Sequence, residues 1–234
     1  AHMLEHVLLG ANKDFPKARD FQAAIEKNGA YSNASTSVYD VTYEVEAADF
    51  EWKRVLTLLL DALSTPKFLQ EEFDSELSNV REELISRSNS HFRHLNITMR
   101  KEMGMCALTD PERVELLDDL TRDDLLEHYK NTHTLTNCRF IVSGHFAGEY
   151  DEIEKLIESR LKINKGRGRI NLPDEVPITP DDPIVVRKPS VPNIYLILDM
   201  YAPRIFTEKE YWCMNLLSNM LTETMYSTIF GVAR

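Results

Sequence analysis

His2-Met3-Leu4-Glu5-His6 sets two imidazoles four residues apart, with a carboxylate beside the second. On a helix, residues i and i+4 lie one turn apart on the same face, so both rings can converge on one metal ion. Glu5, three residues after His2, falls on the edge of that face, placed to reach a water held by the metal rather than the metal itself. A carboxylate beside metal-activated water is equipment for hydrolysis. Met3 and Leu4, then Val7, Leu8 and Leu9, predict a buried opposite side that would fix the imidazoles rather than leave them mobile.

Two imidazoles are not enough, because a catalytic zinc usually takes three protein ligands and keeps one position open for water. The third ligand must come from another element. Residues 69–87, LQEEFDSELSNVREELISR, read as an acidic amphipathic helix with Leu69, Phe73, Leu77, Val80 and Leu84 at three- and four-residue spacing. Glu76 and Glu83 are two turns apart and share a face, so this helix offers a ligand together with a carboxylate to support one.

H-x-x-E-H is the inverted form of the zinc-peptidase signature. With the acidic helix behind it, the chain resembles the pitrilysin/insulinase family of inverzincins, which includes the mitochondrial processing peptidases and insulin-degrading enzyme. In that family the motif is followed seventy-odd residues on by a glutamate ligand, with a second glutamate two turns before it. Here Glu83 follows His6 by 77 residues. The resemblance therefore implies His2, His6 and Glu83 as ligands of one Zn²⁺ per active unit, Glu5 as general base and Glu76 as the carboxylate supporting a ligand. Glu82 stands next to Glu83 as the alternative ligand.

The segment IEKNGAYSNASTSVYDVTYEVEA is similar to the family's Gly-rich bend that leads to Asn-Ala and then a strand. Val41, Tyr43 and Val45 alternate with Thr42, Glu44 and Glu46, the period of a strand. The resemblance implies that the edge beside the zinc takes up substrate as an added strand through main-chain hydrogen bonds, with Asn33 and Ala34 touching it. As turn formers alone, Gly29 and Asn33 would have no such role.

Around these residues the pattern predicts helices over 50–63, 149–162 and 210–221, and one at 122–133 opened by Thr121 and Asp124 in a capping box. Strands are expected at 138–144, 184–188 and 193–203. Residues 164–183 hold Gly166, Gly168 and four prolines without periodicity and read as a linker. The expected fold class is α+β, a mixed or antiparallel sheet packed with helices. The resemblance implies two homologous units: residues 1–163, lacking the opening strands, and residues 184–234, the start of a second unit without ligands. The abrupt ends make the chain read as a piece of a longer protein. FGVAR resembles the start of a substrate-binding segment, with Arg234 as its arginine. Residues 88–112 lack the His-Pro pair of the corresponding family loop, which leaves the subfamily open. His91 and His94 read as solvated or helix-end histidines rather than a second metal site.

The net charge is −11, from 27 basic and 38 acidic residues, so there is no overall basic footprint for nucleic acid or anionic lipid. VLTLLL and IYLIL are far too short to span a membrane. Cys106, Cys138 and Cys213 are odd in number and widely spaced, which predicts reduced, mostly buried thiols and favours a reducing compartment, cytoplasm or organelle matrix. The resulting expectation is a zinc-dependent endopeptidase acting on unfolded peptides or targeting sequences, with a homodimer or a partner subunit enclosing a chamber. The alternatives are a non-catalytic family member serving as a binding or scaffold subunit, and a regulatory zinc site without hydrolysis.

Overall fold

Helix α1 (His2–Leu8) is only seven residues long, too short to persist in water by itself. It is held by burial of one side: Met3, Leu4, Val7 and Leu8 are all 4% exposed or less. This computed structural model describes residues 1–146, 148–171, 175–189, 191–199, 207–223 and 226–229. The chain divides into two compact units, Ala1–Tyr195 and Leu196–Arg234.

In the first unit, α1 is followed by α2 (Ala18–Glu26) and an antiparallel pair, β1 (Tyr31–Thr36) and β2 (Val41–Glu46), in register from Tyr31 opposite Glu46 to Thr36 opposite Val41. The Ser37 hydroxyl, accepting from the Tyr39 and Asp40 amides, closes the turn between them. Exposure alternates along both strands, with Ser32, Ala34, Thr36, Val41, Tyr43 and Val45 on the more covered face. The two strands form a complete sheet among the described residues, so each keeps one unpaired edge.

Next come α3 (Trp52–Ser64), α4 (Gln70–Ser88), α5 (His91–Glu102), α6 (Asp110–Leu116), α7 (Arg122–Thr132) and α8 (Tyr150–Arg160). Phe73, Val80 and Leu84 of α4 pack with Met3, Leu4, Val7 and Leu8 of α1, and with Leu117 and Leu125 near and on α7. A second cluster joins Leu9, Phe21, Ile25, Leu59 and Ala62, and Tyr43 and Leu63 touch both. The sequence pattern of α4 is thereby explained: its apolar stripe buys the position of its glutamates, since Glu76 and Glu83 ride the edge of the face that covers α1. The α+β class holds, with helices predominating over a small sheet. Thr121 and Asp124 form the expected capping box.

Several expectations are corrected. Residues 138–144, 184–188 and the described part of 193–203 form no ladder, because β-branched composition needs a neighbouring strand to bond and none lies alongside among the described residues. Residues 200–203 lie outside the described residues. The region compared with a family loop, 88–112, carries α5 and the start of α6. The three cysteines are exposed rather than buried. Cys106 follows α5 in a loop and Cys138 sits on one of the unpaired extended stretches. Cys213 lies on α9 (Glu208–Thr222), a helix of the second unit with no buried residue. The segment read as a linker is irregular, yet it is tied to the first unit: Leu135 and Thr136 amides donate to the Asn164 and Lys165 carbonyls, and the Ile178 amide to the Met103 carbonyl.

Candidate metal centre

α1 packs against α4 on one side and β1 on the other, and this arrangement assembles the site. Where the chain leaves α1, Glu72 of α4 accepts from the amides of Ala11 and Ala18, 3.0 Å each. Gly10 permits that approach, since a Cβ there would stand 2.9 Å from Glu72 Oε2 and from the Val7 carbonyl oxygen. The exit of α1 is thus pinned to the helix that carries Glu76 and Glu83.

His2 and His6 present their rings edge to face, centroids 4.9 Å apart. Glu83 Oε2 stands 3.3 Å from His2 Nε2 and 3.5 Å from His6 Nε2. Ligands at about 2.0–2.1 Å on a tetrahedral ion lie about 3.3–3.4 Å from one another, so these two separations suit one shared cation. Glu83 Oε2 is also buried without a hydrogen-bond partner. An orphaned carboxylate oxygen in such a place is costly unless a cation meets it.

The neighbouring groups fit this donor set. Glu76 Oε2 lies 3.1 Å from His6 Nδ1, which suits a proton on Nδ1 and leaves the Nε2 lone pair free. Arg87, one turn beyond Glu83, pairs with Glu83 Oε1 and leaves Oε2 to the imidazoles. Burial holds the His2 imidazole below its ordinary pKa, with Glu83 opposing that shift, and a neutral ring is what ligation needs.

Among the described residues, the one group of three ligating side chains with atoms all within 4.8 Å of one another is His2, Glu5 and His6. Mutual proximity alone thus selects Glu5 as the third member, although Glu83 Oε2 stands within 3.5 Å of each Nε2. Hydrogen bonds separate the two carboxylates: Glu5 Oε2 accepts from the Thr36 hydroxyl of β1, whereas Glu83 Oε2 accepts from nothing. Glu5 is thus engaged by β1, and Glu83 Oε2 is left to the two imidazoles. Glu82, the alternative ligand, is exposed. His91 and His94 join no such group.

A cavity of about 350 Å³ opens over these residues, lined by His2, Glu5, His6 and Glu83, by Ala34, Ser35 and Thr36 of β1, and by Arg87. Ala34 therefore lies at the cavity wall. Asn33 does not: its side chain is on the opposite face of the strand, donating to Glu44 Oε1 at 3.0 Å. Arg234 lies outside the described residues. Sequence reasoning passed over Thr36, Glu72 and Arg87. Thr36 could have been found as the next residue after Ala34 on the same face of a strand, and Arg87 as the next turn of the glutamate helix.

Comparison with known proteins shows the family of the chain. Residues 1–112 match the insulinase family (peptidase family M16), and residues 119–234 match the family's inactive domain. The chain belongs to the pitrilysin/insulinase peptidase family. It is 26% identical over 164 residues to the probable mitochondrial-processing peptidase subunit beta of Arabidopsis thaliana, a match covering 68% of this chain and 30% of that protein. Among solved structures it is similar to pitrilysin (TM-score 0.59, 16% identity, covering 77% of this chain and 20% of that one). A protease from Helicobacter pylori is also similar (TM-score 0.56, 19% identity, covering 74% and 42%). The chain thus spans less than half the length of each of these relatives. No helix among the described residues is long and apolar enough to cross a membrane.

Proposed function

We propose that the protein is a zinc-dependent endopeptidase whose ligands are His2, His6 and Glu83 and whose general base is Glu5. The observation that carries this reading is Glu83 Oε2, buried, unpartnered and within 3.5 Å of both Nε2 atoms. Zn²⁺ held there would supply Lewis acidity, acidifying water and polarising a peptide carbonyl. Glu5 takes the proton of the attacking water and delivers it to the leaving amine nitrogen. Thr36 holds the Glu5 carboxylate toward the cavity while it does so, and Glu76 keeps the His6 ring in its ligating tautomer.

β1 keeps an unpaired edge and lines the same cavity through Ala34, Ser35 and Thr36, which supports a peptide bound there as an added strand through main-chain bonds from β1. Such binding reads backbone more than side chains and suits unfolded peptides or targeting sequences. Residues 119–234, which include the expected second unit at 184–234, are read as supplying no ligand and no catalytic group. That reading is supported by their match to an inactive domain and by α9, which has Met214, Asn215, Leu216 and Leu217 and no histidine. The relative from Arabidopsis thaliana is named as a subunit, which supports a second chain, identical or different, closing the chamber.

Glu5→Gln tests the assignment, because glutamine keeps the size but accepts no proton. Peptide cleavage should fall at least about a hundredfold with zinc retained. A variant cutting at near wild-type rate would assign Glu5 a structural role and leave the site without a base.

A further inference from the structure

Arg87 is the one lysine or arginine among the described residues lining the cavity, and its chemistry is not used up by the metal centre. Its guanidinium reaches Glu83 Oε1 through Nη2. A guanidinium carries five N–H donors in a planar fork, and no other hydrogen bond or ion pair of this one is formed among the described residues. The side chain is 44% exposed, so the remaining donors face solvent and the cavity. Every other charged group at the wall already has an assignment. Glu5 is met by Thr36, and His2, His6 and Glu83 converge on one another.

We propose that Arg87 is the specificity-determining residue of this site: it takes an acidic side chain of the bound peptide, so that glutamate or aspartate is preferred beside the scissile bond. This rests on the peptidase reading above. The fork matches a carboxylate in two parallel hydrogen bonds, a geometry that a single carbonyl oxygen cannot use. Glu83 does not cancel the cation, because a carboxylate committed to a metal has its charge already shared, and Arg87 then remains as an unneutralised positive group. The residues that β1 contributes to the lining, Ala34, Ser35 and Thr36, are small and uncharged, so none of them competes with a peptide carboxylate for the guanidinium.

The chain's net charge of −11 points the other way at long range, toward basic peptides. Exposed charges are screened beyond about 8–10 Å at physiological salt, so the contact at Arg87 decides at the cavity itself. Long-range attraction of a basic peptide to the surface is compatible with selection of an acidic residue in the site.

The test uses peptide pairs identical except for Glu or Gln at each position flanking the scissile bond. The kcat/KM ratio, Glu over Gln, should be about fivefold at one position for the wild type, the scale of a partly exposed charge pair. It should fall to about one in Arg87→Met and be partly kept in Arg87→Lys. Equal ratios in the wild type would overturn the proposal. So would an Arg87→Met variant that slows both peptides alike, since Arg87 would then act only through Glu83. Binding of the same pairs to zinc-loaded Glu5→Gln, read by fluorescence anisotropy, separates this from the peptidase reading. If no peptide is cut but the Glu peptide binds tighter and loses that advantage with Arg87→Met, the peptidase reading fails and the Arg87 contact stands. Cleavage without any Glu preference would leave the peptidase reading intact and remove Arg87 from specificity.

Discussion

The hydroxyl of Thr36, on β1, donates its hydrogen bond to Oε2 of Glu5, on α1. The sheet whose edge is proposed to take a peptide and the helix that carries the proposed base are thereby joined at the cavity wall. Thr36→Val keeps the shape and removes the donor. It should lower kcat by about ten- to a hundredfold, the range for losing a hydrogen bond to a charged group. Zinc content should be unchanged and Thr36→Ser should recover most of the rate; a Thr36→Val enzyme with normal kcat would show that Glu5 is positioned by α1 alone.

In the proposed centre Glu76 would act on the metal through His6. With Oε2 3.1 Å from Nδ1, it favours the tautomer whose Nε2 is free to ligate. Glu76→Gln can still accept at that nitrogen but loses the charge, and Glu76→Ala loses both. Zinc affinity, measured by competition with a chelator, should weaken about ten- to a hundredfold in Glu76→Ala and less in Glu76→Gln. Equal affinities in all three proteins would detach Glu76 from the site.

His133 gives the fold a pH dependence away from the ligands. Burial pushes its imidazole down to about 4, with His128 adding to the shift, and its Nε2 lies 3.1 Å from the Tyr43 hydroxyl. Between about 4 and the ordinary value of 6.5 the unfolded chain holds this proton and the folded chain does not. Stability contributed by the neutral ring is therefore present above pH 6.5 and is lost as pH falls toward 4. Denaturant titrations of metal-free protein at pH 7.5 and 5 should differ by about 2 kcal/mol, and His133→Asn should reduce that difference. A stability that is flat across this window would contradict the assignment.

The helices were readable because each carries a periodic stripe or a cap of its own. The four apolar residues of α1 and the Phe73-Val80-Leu84 row of α4 are the two faces of one contact, and Thr121 with Asp124 marks the start of α7 without reference to anything distant. The carboxylates on α4 were legible for the same reason, since seven residues make two turns. What the sequence did not disclose is set by contacts between elements. Thr36 meets Glu5 across 31 residues and Glu72 meets Ala11 across 61, and no local pattern marks either partner. Asn33 shows the limit from the other side: a strand turns alternate residues to opposite faces, so adjacency to Ala34 in sequence sends its side chain to Glu44 instead of the cavity. Residues 138–144 have the composition of a strand, but a ladder needs a second strand that composition cannot specify.

The central claim is that His2, His6 and Glu83 hold one zinc ion, and the most direct measurement of it is the zinc content of dialysed protein beside that of His6→Ala, Glu83→Gln and Glu82→Gln. The account predicts about one zinc per active unit in the wild type and in Glu82→Gln, and marked loss in His6→Ala and Glu83→Gln, because three ligands are the usual minimum for a catalytic zinc. Equal zinc in all four proteins, or loss in Glu82→Gln with Glu83→Gln unaffected, would contradict it.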